Sequence, residues 1–537
     1  MYEVGVIDLF AGPGGLGEGF SAFQSDSENC PFKIIASVEH EESAHETLTL
    51  RAFFRQFPKN EVPSVYYEYI RSGAKEPLEK AFPQYIDKVQ MARRETLNRP
   101  RSLGSKGHDD LIYRSIRAAV ATHNGPTVVI GGPPCQAYSL VGRARNRGTT
   151  SYRPEADTRH YLYKEYLRVL QEVEPEIFVM ENVKGILTSK VGGERIFPKI
   201  RDDLENPGLA VGNEPSKGYR LYPLTCRTVD ESGKERNAQD NEFIVRAEEY
   251  GIPQARHRVI VLGIRKDLED GGKQRPLLNE DVNSQSLTTG DALCDLPPLR
   301  SGVSRQKDSP DAWVEALRSG RESILAALSG MPDAQDRACD AAEGRVTNAG
   351  RGGNFVEATF SELRMPEQLQ EWLHDPFLCG YLNHETRSHM APDLHRYLFA
   401  SCYAASRDGV SPRTCDYPAD LIPAHKSWST GGFADRFKVQ ARSRVASTVT
   451  SHIAKDGHYF IHYDPLQCRS LTVREAARLQ TFPDNYYFCG GRTQQYTQVG
   501  NAVPPFLAKH IAETVHAILK LNFGNRVSTS VEAELAE

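Results

Sequence analysis

The feature that most restricts the fold lies near the N-terminus. Val4-Gly5-Val6-Ile7-Asp8-Leu9-Phe10 is a β-branched, apolar run that reads as a strand, and Ala11-Gly12-Pro13-Gly14-Gly15-Leu16-Gly17-Glu18-Gly19 follows at once. Its glycines mark a tight turn that opens a helix. A second strand, Phe32 to Val38, then ends in Glu39. Strand, glycine turn and helix together make a nucleotide-type cradle, because the turn lets backbone approach a ligand that larger side chains would exclude. An acid at the end of the second strand, about 20 residues beyond the glycines, suits a ribose diol. No Walker-type lysine follows the glycines, so the expected ligand carries a nucleoside rather than a triphosphate.

Three further strand ends carry polar groups. Thr127-Val128-Val129-Ile130 runs into Gly131-Gly132-Pro133-Pro134-Cys135-Gln136-Ala137-Tyr138-Ser139, which puts Cys135 at a strand end on a stiff turn. Glu176-Ile177-Phe178-Val179-Met180 leads into Glu181-Asn182-Val183, a carboxylate where α/β sheets place their sites. Gln254-Ala255-Arg256-His257-Arg258 precedes Val259-Ile260-Val261-Leu262-Gly263, and its two arginines alternate at strand spacing. Each feature taken alone has an ordinary reading. Most cysteines of a reducing compartment are small buried hydrophobes, and arginines at strand ends usually make surface salt bridges. The ten cysteines form no CxxC pair, so neither a zinc ribbon nor a disulfide framework is expected.

Composition bounds the setting. With 39% hydrophobic and 25% charged residues, the chain has the profile of a soluble globular protein. No run approaches the roughly 18 apolar residues that span a bilayer. A cytoplasmic protein with no membrane association is expected. A net charge of −5 does not advertise nucleic-acid binding, but Arg143, Arg145, Arg147, Arg153 and Arg159 crowd a glycine-bearing segment just after Cys135. That segment reads either as a solvated loop or as an arm that meets phosphate.

Phe10-Ala11-Gly12-Pro13-Gly14-Gly15, Gly132-Pro133-Pro134-Cys135-Gln136, Glu181-Asn182-Val183, Gln254-Ala255-Arg256-His257-Arg258, Arg474-Glu475-Ala476-Ala477-Arg478-Leu479-Gln480 and Gly500-Asn501-Ala502-Val503 occur in this order. In type and order they resemble the DNA cytosine-5 methyltransferase family of bacterial modification enzymes, over residues 1–264 and 440–521. The resemblance implies an α/β fold: a Rossmann-like, S-adenosylmethionine-dependent methyltransferase sheet with a second, target recognition domain. It implies transfer of a methyl group from S-adenosyl-L-methionine to C5 of a flipped cytosine in double-stranded DNA. The catalytic domain would occupy 1–271, completed by 494–521. The target recognition domain and return motif would occupy 272–493, with 522–537 a disordered tail.

The implied chemistry gives Cys135 a purpose. Cytosine C5 is a poor nucleophile until a thiolate adds at C6 and makes C5 an enamine carbon. That carbon attacks the sulfonium methyl, and loss of the C5 proton expels the thiolate. By resemblance, Arg258 steadies the thiolate and the base O2. Glu181 meets N3, its partial burial raising its affinity for a proton. Asn182 holds the loop, the Pro133 carbonyl accepts from the exocyclic amine, and Gln136 and Ser139 touch DNA. Arg143, Arg145 and Arg147 would clamp the phosphates around a base that must leave the stack, with Arg256 also on the DNA side. For the cofactor, Phe10 flanks the adenine, Pro13 and Gly14 form the turn, Glu39 takes the ribose and His40 lies beside the ring. Leu162, Asn501 and Val503 add later contacts. The family's acidic motif for the adenine amino group has no clear counterpart. Asp109, Asp110 or backbone near Leu103-Gly104 are the candidates.

In the segment from 272 to 440, Ala312 to Leu328 reads as helical, and Asn383 to Met390 as the start of another helix. His384, His389 and His395 lack finger-like partners, so packing and capping are favoured over a metal, and no metal is expected. Arg436, Lys438, Arg442 and Arg444 form a second basic cluster. A monomer is expected, with a restriction endonuclease as a possible genetic partner. Three rivals stand beside this reading: a transfer-RNA cytosine-5 methyltransferase on the same scaffold, a catalytically silent DNA-binding relative, and a nicotinamide oxidoreductase. The silent relative would usually lose the nucleophile, and the oxidoreductase has no role for the Pro-Cys turn or for QARHR.

Overall fold

The computed structural model describes residues 3–25, 30–58, 60–105, 107–134, 162–191, 193–212, 215–228, 236–268, 275–279, 286–344, 350–358, 364–423 and 436–534. A seven-stranded mixed sheet organises the chain. Its strands are β1 (Val4–Leu9), β2 (Phe32–Val38), β3 (Thr127–Gly131), β4 (Ile177–Val183), β5 (Tyr219–Tyr222), β6 (Ile244–Arg246) and β8 (His257–Arg265), in the order β2-β1-β3-β4-β8-β5, with β6 also on β8. The short β7 (Gln254–Ala255) stands apart and pairs in parallel with β11 (Ala446–Ser447).

The first four sheet strands pair in parallel, and β8 runs antiparallel to β4, β5 and β6. Parallel strands are covered on both faces, which is why β1 and β3 are buried along their whole length and, apart from Asp8 and Thr127, apolar. Val4 and Val6 face one way, onto α1 (Gly15–Ala22) and the C-terminal helix α12 (Pro505–Glu534). Ile7 and Leu9 face the other way, toward the layer that holds α4 (Asp109–Ala121) and α5 (Leu162–Val173). Between β1 and β3 the strand order reverses, and α/β sheets open a crevice at such a point. The expected Rossmann-like sheet is therefore present, with its switch point beside the glycine turn.

The chain's return is close-fitted. Gly19 sits against Ala508, and a Cβ there would meet the Pro505 carbonyl at 2.4 Å. Past Leu521, where fraying was expected, α12 continues to Glu534. Extending an existing helix adds one hydrogen bond per residue fixed, and no proline interrupts the stretch. The tail expected to be disordered from 522 is helical to that point.

The middle segment has its own core, in which Trp313, Leu317, Ile324, Leu398 and Phe399 are buried among α6 (Pro310–Arg318), α7 (Arg321–Ala327), α8 (Pro332–Ala342) and α9 (Ala391–Ala405). The single helix expected from Ala312 to Leu328 is broken at Ser319-Gly320. There Gly320 lies against the His395 ring, leaving no room for a side chain. The helix expected from Asn383 starts only at Ala391. Asn383 belongs instead to β10 (Gly380–Glu385), antiparallel to β9 (Gly352–Glu357). The return motif, with α10 (Val473–Leu479) and α11 (Arg492–Asn501), shares a core with Leu293, Leu296 and Tyr381. Leu378 and Leu382 pack with α2 (Glu42–Phe54) and α3 (Ile86–Glu95). Among the described residues no helix is long and apolar enough to cross a membrane.

Candidate active site

The glycine turn is built around positive φ angles. Phe10, at 55°, leaves β1 in a left-handed conformation, and Gly12 and Gly14 follow at 58° and 98°. This turns the Gly12 amide toward Glu39, whose carboxylate accepts from Gly12 N (2.8 Å), His40 N (2.8 Å) and Glu41 N (2.7 Å). Burial alone would raise the Glu39 pKa, but the bonds from the His40 ring, the Glu41 amide and the Gly12 amide outweigh it and hold the carboxyl below its ordinary value. Nδ1 of the largely exposed His40 lies 3.0 Å from Glu39, a bond that raises the imidazole's pKa.

Phe10, Val38, Glu39, His40 and Leu162 line one small cavity, together with Pro134 and the segment Arg101–Leu103. Four sequence-predicted residues, Phe10, Glu39, His40 and Leu162, thus come from three stretches of chain to share one space. Of the candidates the sequence left open for the adenine amino group, Leu103 lies on this wall, beside Arg101 and Ser102. Arg101 N donates to the Glu39 carbonyl (2.7 Å), Ser102 N to His108 Nδ1 (3.0 Å) and Gly104 N to Asp109 Oδ1 (2.8 Å). Asp109 therefore holds the loop rather than facing the cavity, and Asp110 is not among the lining residues. Asn501 ends α11 exposed, and Val503 packs behind the turn. The Val503 carbonyl abuts Gly15, where a Cβ would come within 2.3 Å of it.

The second half of the site lies at the ends of β3, β4 and β8. Glu181 and Arg258 form an ion pair, Oε1 to Nε 2.8 Å, both mostly buried. Their strands are antiparallel neighbours, and Ile260 stands opposite Glu181, so Arg258 reaches across from two residues away on the same face. Gly132 leaves room for the carboxylate: a Cβ there would lie 2.8 Å from Glu181 Oε2. Asn182 Nδ2 donates to the Pro133 carbonyl (3.3 Å), and its Oδ1 accepts from Val183 N (2.9 Å). The turn that leads to Cys135 is thereby tied to the strand bearing Glu181. Cys135, Gln136, Ser139, Arg143, Arg145 and Arg147 lie outside the described residues.

Arg256 departs from expectation. It is not a DNA-facing side chain but is buried, with Nη1 donating to the Val449 carbonyl (2.8 Å) and both terminal nitrogens reaching the Gly500 carbonyl (3.4 Å). Burial, and then the nearby Arg258, push its pKa far down. Strand alternation does not hold across the gap between β7 and β8, so the two arginines end in different surroundings. Gln254, also buried, accepts from Val449 N (2.6 Å) and donates to the Leu479 carbonyl (3.0 Å). QARHR thus pins the return motif with its first half and supplies the site with its second.

The three histidines do not converge. His384 bonds Thr472 and the Pro297 carbonyl, His389 lies against Ser470, and His395 bonds the Ala316 carbonyl. In the basic cluster, Arg444 donates to the Asp408 carbonyl (2.8 Å) and Lys438 to Tyr459 Oη (3.3 Å). A larger cleft of about 1500 Å³ lies over the outer edge of β2, between Met91, Trp372 and Phe377, and holds none of the predicted site residues.

The fold is thus an α/β mixed sheet that brings a glycine turn with a buried acceptor at its switch point close to a carboxylate–guanidinium pair at the neighbouring strand ends. The family model of the C-5 cytosine-specific DNA methylases matches residues 108–517. Type II methyltransferase M.Bpa9945I of Bacillus paralicheniformis is 34% identical over 532 residues, covering 96% of this chain and 99% of the relative. Type II methyltransferase M.AgeI of Thalassovita gelatinovora is 27% identical, covering 72% and 82%. A solved structure of a prophage-encoded candidate DNA modification methyltransferase (E. coli) covers 96% of this chain and all of that one, with a TM-score of 0.51 at 18% identity, a likeness of fold. The chain belongs to the C-5 cytosine-specific DNA methylase family. It is therefore a DNA (cytosine-5) methyltransferase, with DNA as its substrate and a methyl donor as its cofactor.

Proposed function

We propose that the chain is the site-specific modification enzyme of a restriction-modification system, and that it methylates C5 of a flipped cytosine through a Cys135 adduct with S-adenosyl-L-methionine as donor. The Type II names of its relatives support the first part. The observation that carries the second is the Glu181–Arg258 pair beside the Asn182–Pro133 bond. It sets a carboxylate and a guanidinium next to the turn that ends in Cys135.

The cradle fits the donor. Glu39 is a buried acceptor suited to a ribose diol, Phe10 and Leu162 offer apolar walls for an adenine, and His40 closes the outer side. Bound there, the donor supplies an electrophilic methyl. The chain's own groups do the rest. Cys135 attacks C6, and Arg258 attracts the charge that builds on the base while it holds Glu181 in place. Glu181 meets N3, and the Pro133 carbonyl, which Asn182 orients, takes the exocyclic amine of cytosine. The segment from 272 to 440 reads base edges, while Arg143, Arg145 and Arg147 meet phosphate.

The adduct is the test. DNA with 5-fluorocytosine at the target cannot lose its C5 substituent as a proton, so it should trap the enzyme in a denaturation-resistant complex mapped by mass spectrometry to Cys135. Cys135→Ser should bind DNA and trap nothing. Mapping to another cysteine would overturn the assignment.

A further inference from the structure

Tyr486 belongs to the return motif, yet it reaches the glycine turn. Its hydroxyl donates to the carbonyl of Pro13, a residue 473 positions away in the chain. The side chain is fully buried. Arg474 donates to its carbonyl (2.6 Å), and its amide donates to the Pro483 carbonyl (2.9 Å). Its ring packs edge-on against Phe482 (4.9 Å between centroids) and lies 4.9 Å from the Arg51 guanidinium. Arg51 is itself paired with Glu18 of α1 at 2.5 Å and donates to Asn485 (3.0 Å). Burial pushes the phenol's pKa up, so the hydroxyl keeps its proton and remains a donor.

Pro13 lies between the two positive-φ glycines. A Cβ on Gly14 would come within 3.0 Å of the tyrosine hydroxyl. The turn is therefore tethered on two sides: the Ala11 and Gly12 amides to Val38 and Glu39 on the cavity side, and the Pro13 carbonyl to Tyr486 behind it. A glycine-rich turn loses much backbone entropy on ordering, and a turn fixed from both sides meets that cost before a ligand arrives.

We propose that Tyr486 is a positioning residue for the cofactor turn, holding the Pro13 carbonyl so that the Gly12–Gly14 backbone is set for the donor before it binds. This rests on the reading of the glycine turn and Glu39 as the donor site.

The experiment measures S-adenosylhomocysteine binding by calorimetry on the full chain without DNA, and donor KM and kcat with DNA. Tyr486→Phe removes only the hydroxyl. It should weaken binding roughly three- to tenfold, within the range of one neutral hydrogen bond, and raise the donor KM equally, with kcat at saturating donor within twofold of wild type. Tyr219→Phe is the control, because its hydroxyl also donates to a proline carbonyl, that of Pro175 (3.1 Å), from β5 at the far side of the sheet. It should leave binding unchanged whatever it does to the melting temperature. Unaltered binding in Tyr486→Phe, or equal losses in both variants, overturns the inference. Glu39→Ala separates the levels: it should weaken binding tenfold or more, and if it does not, the donor-site reading itself fails.

Discussion

At the residue scale, the two arginines of QARHR divide two kinds of work. Arg258 pairs with Glu181 at the site, whereas Arg256 spends its donors on the carbonyls of Val449 and Gly500. Removing a buried donor leaves its acceptors unsatisfied, at about 1–3 kcal/mol. Arg256→Met should therefore lower the melting temperature by several degrees. The folded enzyme should keep the wild-type dependence of DNA affinity on salt, since no phosphate contact is lost. Titration of DNA binding across a salt series checks this. A shallower slope would return Arg256 to the DNA surface.

At the scale of elements, the site is assembled from strand ends and the turns that leave them. β1 contributes Phe10 and the glycine turn, β2 leads into Glu39, β3 runs toward Cys135, and β4 and β8 bring Glu181 and Arg258 together. These pieces were legible in the sequence because an apolar run followed by glycine, proline or a charge is a local pattern. The arginine-bearing segment after Cys135 is an element of another kind, basic and poor in apolar residues. Replacing Arg143, Arg145 and Arg147 with alanine should weaken binding to all DNA sequences alike and reduce the slope of log affinity against log salt by about 1 to 3. The methylated sequence should not change, because phosphate contacts carry no base information. Methylome sequencing of the variant, with binding at several salt concentrations, decides it.

At the scale of the molecule, buried arginines tie the middle of the chain to the return motif, Arg478 to Asp295 and Arg469 to the Leu299 carbonyl (3.0 Å). Arg469 pairs with Glu475 at 2.6 Å, and Arg478 bridges Asp295 and Asp484. His384 and His462 lie in the same interior and are pushed down to about 4, first by burial and then by neighbouring charges, among them Arg469. A histidine held neutral in the folded state takes up its proton more readily when unfolded. The unfolded chain therefore binds more protons between the ordinary value of about 6.5 and the folded value. The stability that the neutral pair contributes is full above that window and falls as pH drops through it. Thermal melts at pH 7.5, 6.5 and 5.5 should show a progressive fall. Replacing both histidines with asparagine should make the fall shallower, the remainder coming from other histidines that burial holds down, among them His389 and His458. A wild-type melting temperature independent of pH in this range would contradict the account.

The amino-acid sequence by itself determined five of the sheet's seven strands, the glycine turn, the acid beside it and the order of the family motifs. Each is written within a few consecutive residues, where strand periodicity and turn chemistry act. Tertiary structure alone decided what those residues touch. Period-two alternation assigns a side chain to a face but cannot say what covers that face. Arg256 thus went inward to Val449, Asn383 joined a strand, and Arg101–Leu103 filled the remaining wall of the cavity. The reach of Tyr486 to Pro13 has no local signature. It exists because the chain's last third folds back against its first, and only that long-range packing brings a hydroxyl and a carbonyl 473 residues apart into one hydrogen bond.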